Sequence, residues 1–366
     1  MVGVGMLLDP TRMGREAESL QGQLRKRIVG QDGAIRQVVD VYQTFLTGMA
    51  GPGRPIASFL LLGPTGTGKT RTVEAVAESL LGDARAVTKI DCAEFQHSHE
   101  IAKLIGSPPG YLGHRETHPL LSQEALNQYQ TEGAKLSLVL FDEIEKASDA
   151  LWNLLLGILD KATLTLGDNR RVDFSRTMIF LTSNLGAQEM DAIIRPKLGF
   201  AAGVGERAHS AATEEARTGR ISYAGVSAAR RIFSPEFMNR IDKTIVFSPL
   251  GEAELRRILE LELQLVHDRI HRAAGTTAIG FTASEAAQDF LLREGIDPRY
   301  GARHLKRAVE RLLVQPLANL LATGQLQSGD WLQVDLDQAC SRLMFLKGMK
   351  EPASQQAATS ATSMAA

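Results

Sequence analysis

The run Gly63-Pro64-Thr65-Gly66-Thr67-Gly68-Lys69-Thr70 decides the fold. It follows the apolar segment 58–62 and precedes a helical stretch over 71–81. A glycine-rich loop placed between a strand and a helix directs backbone N–H groups at phosphates, while its Lys reaches the β and γ oxygens and its Thr hydroxyl binds Mg²⁺. The alternative is a chance match in a glycine-rich turn. The strand, loop and helix order favours a P-loop, so we expect all eight residues to bind ATP and Thr70 to bind Mg²⁺ as well.

Two adjacent carboxylates follow another apolar segment. Asp142 and Glu143 come directly after residues 136–141, which have the composition of a buried strand. Because ligands of parallel α/β sheets bind at the carboxyl ends of the strands, we expect Asp142 to bind Mg²⁺ and Glu143 to orient and polarise the attacking water. Alternatively, the two carboxylates cap the helix that follows. A P-loop in the same chain favours the catalytic interpretation.

Short apolar segments recur between helical stretches. They are residues 58–62, 86–90, 136–141 and 177–182, with a fifth candidate at 244–247. Near-continuous apolar runs are typical of strands covered on both faces, and their alternation with helices indicates a parallel sheet. Residues 12–48 have helical periodicity and end at a run rich in Gly and Pro. The sequence therefore predicts an α/β fold with a parallel sheet.

The pattern changes near Gly251. Leu255, Ile258, Leu259 and Leu263 recur on one helical face, and residues 331–336 alternate like a strand. These features predict a smaller, mainly helical second domain. We expect four parts: an N-terminal extension (1–25), a large nucleotide-binding domain (26–248), a small domain (249–340) and a disordered tail (341–366). Within the large domain, the segment 202–230 is rich in Ala, Gly, Ser and charge, and it is expected to be a mobile surface excursion.

Charge and composition exclude several classes of function. The chain has 41 Lys and Arg against 42 Asp and Glu, so no global positive field attracts nucleic acid or an anionic membrane. Asp9 and Pro10 end the N-terminal apolar run too early for a signal peptide or a membrane span. Cys92 and Cys340 have no metal-ligand spacing, so neither a disulfide framework nor a zinc site is expected. We expect a cytoplasmic protein that does not bind membranes, and the balanced charge counts against nucleic acid as a partner.

Further motifs give the sequence a family resemblance. Besides the P-loop, these motifs are Ile28-Val29-Gly30-Gln31, Gly106-Ser107-Pro108-Pro109-Gly110-Tyr111-Leu112-Gly113, Phe141-Asp142-Glu143-Ile144-Glu145-Lys146-Ala147, Thr182-Ser183-Asn184-Leu185-Gly186, Pro235-Glu236-Phe237-Met238-Asn239-Arg240-Ile241-Asp242 and Tyr300-Gly301-Ala302-Arg303-His304-Leu305-Lys306-Arg307. These six motifs occur in the order found in AAA+ ATPases of the Clp family, and they most resemble the second ATPase domain of the ClpB, ClpA and ClpC unfoldases. The resemblance implies an AAA+ large domain followed by a small lid domain.

The resemblance also implies roles for single residues. Ile28 and Val29 would pack on the adenine, and Asn184 would help to place the attacking water. Arg240 would act as an arginine finger on a neighbouring subunit's nucleotide, and Arg303 would reach the γ-phosphate from the small domain. Each arginine also has a purely structural alternative. Arg240 could form an ion pair with Asp242 or Glu236. Arg303 could lie on a solvated helix face, and Arg299 and Arg307 are competing candidates for the contact with the γ-phosphate.

Two loops carry expectations about partners. Tyr111 resembles the residue that grips substrate in the central pore of Clp rings, although an aromatic that packs its own loop is the alternative. The stretch 114–118 departs from the acidic and glycine-rich sequence that usually follows in the family. Leu198-Gly199-Phe200 lies where protease-coupled Clp ATPases carry a loop that docks on a ClpP-type peptidase, although a buried turn fits it equally well.

Taken together, the resemblance predicts an ATP-dependent unfoldase or remodelling chaperone. It would thread protein substrates through a homo-oligomeric ring, a hexamer by family analogy, with ATP and Mg²⁺ as cofactors. Because no first ATPase ring, coiled-coil insertion or substrate domain precedes the motifs, we expect a single-ring relative. Two alternatives stay open: an AAA+ switch that remodels one dedicated partner, and a nucleic-acid-directed AAA+ ATPase.

Overall fold

The computed structural model describes residues 9–107, 119–194, 211–273, 279–297, 301–327, 329–337, 339 and 341–348. The chain divides into a larger unit, Met1–Pro249, and a smaller unit, Leu250–Ala366. The strands of the larger unit are β1 (Ala57–Leu62), β2 (Thr88–Asp91), β3 (Ser137–Asp142), β4 (Thr163–Thr165), β5 (Arg171–Asp173), β6 (Thr177–Ser183) and β7 (Lys243–Val246).

Five of these strands form one parallel sheet. Its order is β2-β3-β6-β1-β7, and every neighbouring pair in it is parallel. The predicted α/β fold with a parallel sheet is confirmed, and each of the five predicted segments overlaps a strand whose ends differ from the prediction by at most about two residues. The antiparallel pair β4 and β5 was not predicted, because strands this short carry too little alternation to be recognised.

Helices cover both faces of this sheet. The helices of the larger unit are α1 (Arg15–Arg27), α2 (Asp32–Leu46), α3 (Lys69–Leu81), α4 (Ala102–Ile105), α5 (Gln123–Asn127), α6 (Asp149–Lys161), α7 (Ala187–Ile194), α8 (Ala211–Ile232) and α9 (Pro235–Asn239). Successive β1 residues point to opposite faces, so Phe59 belongs to one apolar core and Leu60 to the other. Phe59 stacks on Phe180 of β6 at a centroid distance of 4.9 Å. Both faces are buried, which explains why the strands are apolar throughout.

The first helix of the chain, α1, packs into one of the two apolar cores of the larger unit. Ala17, Leu20 and Leu24 recur at helical spacing on α1 and are buried in the same core as Phe59. The helical stretch predicted over 12–48 is two helices, because the chain bends after α1 where Gly30 has a φ of 71°. The bend brings the residues between the two helices next to the P-loop.

The prediction of a mobile excursion over 202–230 is wrong for the part that the structure describes. Residues 211–230 lie in α8, and Ile221, Ala228 and Ala229 are buried. The helix approaches its neighbours closely at Gly225, where an added Cβ would lie 2.5 Å from Met190 Cε. The buried face is made largely of Ala and Gly, so an ordinary hydrophobic period does not reveal it. Residues 202–210 lie outside the described part.

The smaller unit combines helices with a three-stranded sheet. Its elements are α10 (Glu252–Ala273), β8 (Gly280–Ala283), α11 (Glu285–Gly295), α12 (Ala302–Val309), the π-helical turn Glu310–Val314, α13 (Gln315–Ala322), β9 (Trp331–Asp337) and β10 (Arg342–Gly348). Strand β9 pairs parallel with β8 and antiparallel with β10. The predicted helical face of α10 packs into the core, where Leu255 and Leu259 are buried.

The prediction of a disordered tail over 341–366 is wrong at its start. Arg342–Gly348 forms β10, in which Leu343 and Phe345 pack against the core of the smaller unit. The Ala, Ser and Thr content that suggested disorder lies further along, in residues 351–366. Residues 349–366 lie outside the described part.

Candidate functional site

The P-loop connects the carboxyl end of β1 to the first turn of α3. Gly63, Gly66 and Gly68 have φ angles of 144°, 79° and 99°, in the region that favours glycine. An added Cβ at Gly63 would lie 2.6 Å from the carbonyl oxygen of Phe247, so this position also needs a residue without a side chain. The loop therefore has a backbone conformation that depends on its glycines, and its binding of phosphates at the helix N-terminus stays a prediction.

Lys69 is the first residue of α3, and its side chain is held inside the loop. The ammonium group donates hydrogen bonds to the carbonyl oxygens of Gly63 at 2.7 Å and Pro64 at 2.9 Å, and to Asn184 Oδ1 at 2.9 Å. The residue is only 8% exposed. A buried ammonium is stabilised by such a set of acceptors, and phosphate oxygens would replace them when a nucleotide binds.

Asn184 follows β6 and lies at the centre of the cluster. Its Oδ1 accepts hydrogen bonds from Lys69 and from the hydroxyl of Thr65, the latter at 3.3 Å. Its Nδ2 donates to Glu143 Oε1 at 3.4 Å. One amide side chain thus contacts both the P-loop and the predicted water-polarising carboxylate.

Asp142, at the end of β3, faces the hydroxyl of Thr70. Their oxygens are 3.5 Å apart, and the carboxylate also accepts hydrogen bonds from the Thr182 hydroxyl and, at 2.9 Å, from Lys89 Nζ. Burial opposes ionisation of Asp142, but the hydrogen bonds from Thr182 and Lys89 outweigh it and hold the pKa of Asp142 below its usual value. A hydroxyl and an ionised carboxylate side by side are the hard oxygen ligands that Mg²⁺ prefers, so these two residues fit the predicted ion.

Glu143 has an unusual backbone conformation. Its φ is 58°, in the left-handed region that is uncommon for residues other than glycine, and its N–H donates to Thr182 Oγ1 at 3.1 Å. Its carboxylate forms an ion pair with Lys146, three residues further along. Strained backbone of this kind is concentrated at functional sites, and the Glu143 carboxylate accepts the hydrogen bond from Asn184 Nδ2.

The segment between α1 and α2 lies against the P-loop. Ile28 is buried and Val29 is half-buried. The amide of Gln31, which is 5% exposed, donates to the carbonyl oxygens of Thr67 at 3.2 Å and of Ser248 at 2.9 Å. A linking role for Gln31 was not predicted, because nothing in its own motif indicates two carbonyl partners so far away in sequence.

Arg240 follows α9 on the larger unit. Its guanidinium forms ion pairs with Glu236 at 2.6 Å and Asp160 at 3.6 Å. Asp242, the other partner considered from the sequence, instead accepts hydrogen bonds of 2.7 Å from the backbone and hydroxyl of Ser58. The ion pair within the chain is thus present, and the role of Arg240 on a neighbouring subunit stays a prediction.

The remaining predicted residues lie on the smaller unit or outside the described residues. Arg303 is exposed in the first turn of α12 on the smaller unit, so its contact with a γ-phosphate stays a prediction. Tyr111 and the tripeptide Leu198-Gly199-Phe200 lie outside the described residues. Among the described residues, no group of three or more His, Cys, Asp or Glu side chains could bind a metal, and none of the helices is long and apolar enough to cross a bilayer.

Family models match most of the chain. The model "AAA domain (Cdc48 subfamily)" matches residues 54–244. The model "C-terminal, D2-small domain, of ClpB protein" matches residues 250–334. The two matches follow one another along the chain and correspond to most of the larger and the smaller unit.

Curated relatives and a solved structure agree with these models. The chaperone protein ClpB of Bdellovibrio bacteriovorus is 38% identical over 315 residues, which are 86% of this chain and 33% of the relative. ClpB of Meiothermus ruber is also 38% identical over 315 residues, covering 86% of this chain and 34% of the relative. A closed-state cryo-EM reconstruction of Hsp104 with ATPγS and FITC casein superposes with a TM-score of 0.71 at 28% identity, over 91% of this chain and 52% of that one. The chain therefore spans about a third of the length of these curated relatives.

Proposed function

This chain belongs to the AAA family of ATPases and resembles the second ATPase domain of ClpB, and from this premise we propose that it couples ATP hydrolysis to the remodelling of protein substrates. The observation that carries the proposal is the cluster of Lys69, Asp142, Glu143 and Asn184 at the carboxyl edge of the parallel sheet. In phosphoryl transfer the protein contributes mainly positioning and electrostatic stabilisation, and these four side chains supply both.

Each residue of the cluster has a role in the proposed hydrolysis. Lys69 exchanges its carbonyl acceptors for the β and γ oxygens of ATP. Thr70 and Asp142 would hold Mg²⁺, which when bound neutralises charge on the phosphates. Glu143 accepts a hydrogen bond from the attacking water and orients it toward the γ-phosphorus. Asn184, between Lys69 and Glu143, aligns the water with the phosphate.

The proposed substrate is an extended polypeptide that a ring of subunits pulls past Tyr111. The similarity to ClpB and to Hsp104, which was reconstructed with FITC casein, supports protein substrates and an oligomeric ring. A hexamer, a trans-acting Arg240 and a γ-phosphate contact of Arg303 belong to this proposal by family analogy. Docking on a ClpP-type peptidase through Leu198-Gly199-Phe200 and a cytoplasmic location are predictions from the sequence.

The test is ATP-dependent unfolding of a fluorescent reporter protein that carries an unstructured tail. Wild type should abolish the native fluorescence only when ATP is present, while Lys69→Ala and Asp142→Ala should neither hydrolyse ATP nor unfold the reporter. Tyr111→Ala should retain hydrolysis and lose unfolding. Unfolding that survives Tyr111→Ala would favour a switch that remodels a partner without threading.

A second arm separates the nucleic-acid alternative. Binding to fluorescently labelled single-stranded and duplex DNA and RNA is titrated at several salt concentrations, because true phosphate contacts weaken steeply with salt. With the net charge at −1, we expect no salt-sensitive binding. Tight, salt-sensitive binding with no reporter unfolding would contradict the proposed function.

A further inference from the structure

Glu145 lies beside the cluster but belongs to none of the roles described so far. It is in the 3-10 turn Ile144–Lys146, which directly follows Glu143. Its Oε1 accepts a hydrogen bond of 3.0 Å from the backbone N–H of Asn184. A side chain that follows β3 thus holds the main chain at the end of the neighbouring strand, β6.

Asn184 needs such an acceptor because of its place in the chain. Ser183 is the last residue of β6, and its pairing with Leu62 is the last one between β6 and β1. The N–H of Asn184 lies one residue beyond that ladder, where a part-buried donor without a partner would be costly. Glu145 supplies the acceptor, and a charged acceptor forms a stronger hydrogen bond than a neutral one.

The second carboxylate oxygen of Glu145 suggests that the residue is not there for stability alone. Its Oε2 is buried and has no hydrogen-bond partner among the residues that the structure describes. Buried polar atoms are nearly always paired, and unpaired ones that persist are often found where function requires them. Glu145 accepts one backbone hydrogen bond through Oε1, while its Oε2 is buried without a described partner. The residue is therefore a candidate for a functional role.

We propose that Glu145 is a positioning residue for ATP hydrolysis, acting through Asn184. By holding the Asn184 backbone, it places the side-chain amide where Oδ1 meets Lys69 and Nδ2 meets Glu143. Without this hydrogen bond the turn after β6 loosens, and the side-chain amide of Asn184 moves out of its position between Lys69 and Glu143. The inference rests on the proposed ATP hydrolysis, but the contact itself is testable without it.

The first measurement is hydrogen–deuterium exchange of the backbone around Asn184, read by mass spectrometry in the full-length protein. Glu145→Ala removes the acceptor, so exchange at the Asn184 amide should become faster. Glu145→Gln keeps a carbonyl oxygen at that position and should retain most of the protection of wild type, although its neutral acceptor is weaker. Glu100→Ala is the matched control, because Glu100 also accepts a backbone N–H, that of His97 at 2.9 Å, and lies outside the cluster.

The second measurement is a double-mutant cycle on steady-state ATP turnover. Because small misplacements at a reacting centre cost up to about a hundredfold in rate, we expect Glu145→Ala to lower kcat by about ten- to a hundredfold. The dissociation constant for ATP should change by less than about threefold, since the P-loop contacts remain. If Glu145 acts through Asn184, adding Glu145→Ala to Asn184→Ala should cost little further activity. Glu145→Gln should restore most of the rate.

The outcomes separate this inference from the proposed function. Unchanged exchange at Asn184 in Glu145→Ala, or losses that multiply in the double variant, would overturn the positioning role. A wild type that binds but never hydrolyses ATP would overturn the proposed function, while the exchange experiment would still decide whether Glu145 holds Asn184. If Glu145→Ala does not fold, Glu145→Met, which fills a similar space without an acceptor, takes its place in both measurements.

Discussion

Lys69 of the P-loop and Asn184 at the end of β6 are joined by a hydrogen bond of 2.9 Å. The same Asn184 amide donates to Glu143, so the lysine predicted to bind phosphate and the carboxylate predicted to polarise water are connected through one side chain. Phosphates that draw Lys69 away from Asn184 would free Oδ1 and allow the amide to turn toward the attacking water. We therefore propose that Asn184 couples nucleotide binding to hydrolysis.

Replacing Asn184 by Ala should therefore slow hydrolysis more than it weakens binding. We expect kcat to fall by about a hundredfold, comparable to the loss of one well-placed polar group, with little change in ATP affinity. Turnover and equilibrium binding of a fluorescent ATP analogue are measured on the same preparation. Asn153→Ala, on the exposed side of α6, is the control and should behave like wild type. Equal losses in binding and turnover would show that Asn184 serves only to hold the nucleotide.

The second prediction concerns Arg240 and its proposed role on the nucleotide of a neighbouring subunit. A guanidinium that works across a subunit interface contributes roughly a thousandfold or more to phosphoryl transfer. Arg240→Ala should therefore bind ATP normally and lose most hydrolysis, and mixing it with Glu143→Gln subunits should restore some turnover where intact interfaces form. Arg231→Ala is the matched control, since Arg231 also pairs with a surface carboxylate, that of Glu189. Turnover by Arg240→Ala that is independent of protein concentration and unaffected by mixing would contradict the trans role.

Two glycines of α8 should respond to substitution in opposite directions. At Gly219 an added Cβ meets nothing within 4 Å, so Gly219→Ala should stabilise the fold by about 0.5–1 kcal/mol through helix propensity. At Gly225 the Cβ would lie 2.5 Å from Met190 Cε and 3.3 Å from Val246, so Gly225→Val should destabilise the larger unit by about 1–3 kcal/mol. Urea unfolding followed by circular dichroism measures both. If Gly225→Val is as stable as wild type, α8 does not pack as described.

The buried amide of Gln31 offers a fourth test. It links the P-loop at Thr67 to the chain after β7 at Ser248, so Gln31→Ala leaves a buried carbonyl oxygen at Thr67 and a part-buried one at Ser248 without this donor. We expect the free energy of unfolding to fall by about 1–3 kcal/mol and the affinity for ATP to weaken as the loop loosens. Gln23→Ala is the control, because Gln23 is half-buried and its amide donates to Ser19 of the same helix. Unchanged stability and affinity in Gln31→Ala would show that the link is dispensable.

Parts of this structure follow from sequence patterns and parts do not. The P-loop and the strand before Asp142 could be predicted from the sequence, because periodicity and turn chemistry depend on residues that are close together in the chain. The burial of α8 was missed since Ala and Gly form its packed face, and β10 was missed because the composition of 351–366 obscured the alternation at Leu343 and Phe345.

Sequence patterns also did not predict the contacts that support the site, and the reason is different. The order of the strands brings Gln31 next to Ser248 and Glu145 next to Asn184. The spacing of these residues along the chain does not indicate that they are in contact. Lys89 reaches Asp142 for the same reason, because β2 and β3 are neighbours in the sheet. Such contacts depend on the assembled sheet, so they become visible only when the strands are placed side by side.

The most direct test of the account compares ATP binding and ATP turnover in wild type and Glu143→Gln. The glutamine keeps the shape of the side chain and its contact with Asn184 but cannot accept a proton from the attacking water, so ATP affinity should stay within about threefold while turnover falls by about a hundredfold or more. The account predicts a variant that binds ATP and holds it unhydrolysed. A Glu143→Gln protein that retains more than about a tenth of wild-type turnover would contradict the assignment of the site, given the size of the effects expected from general base catalysis.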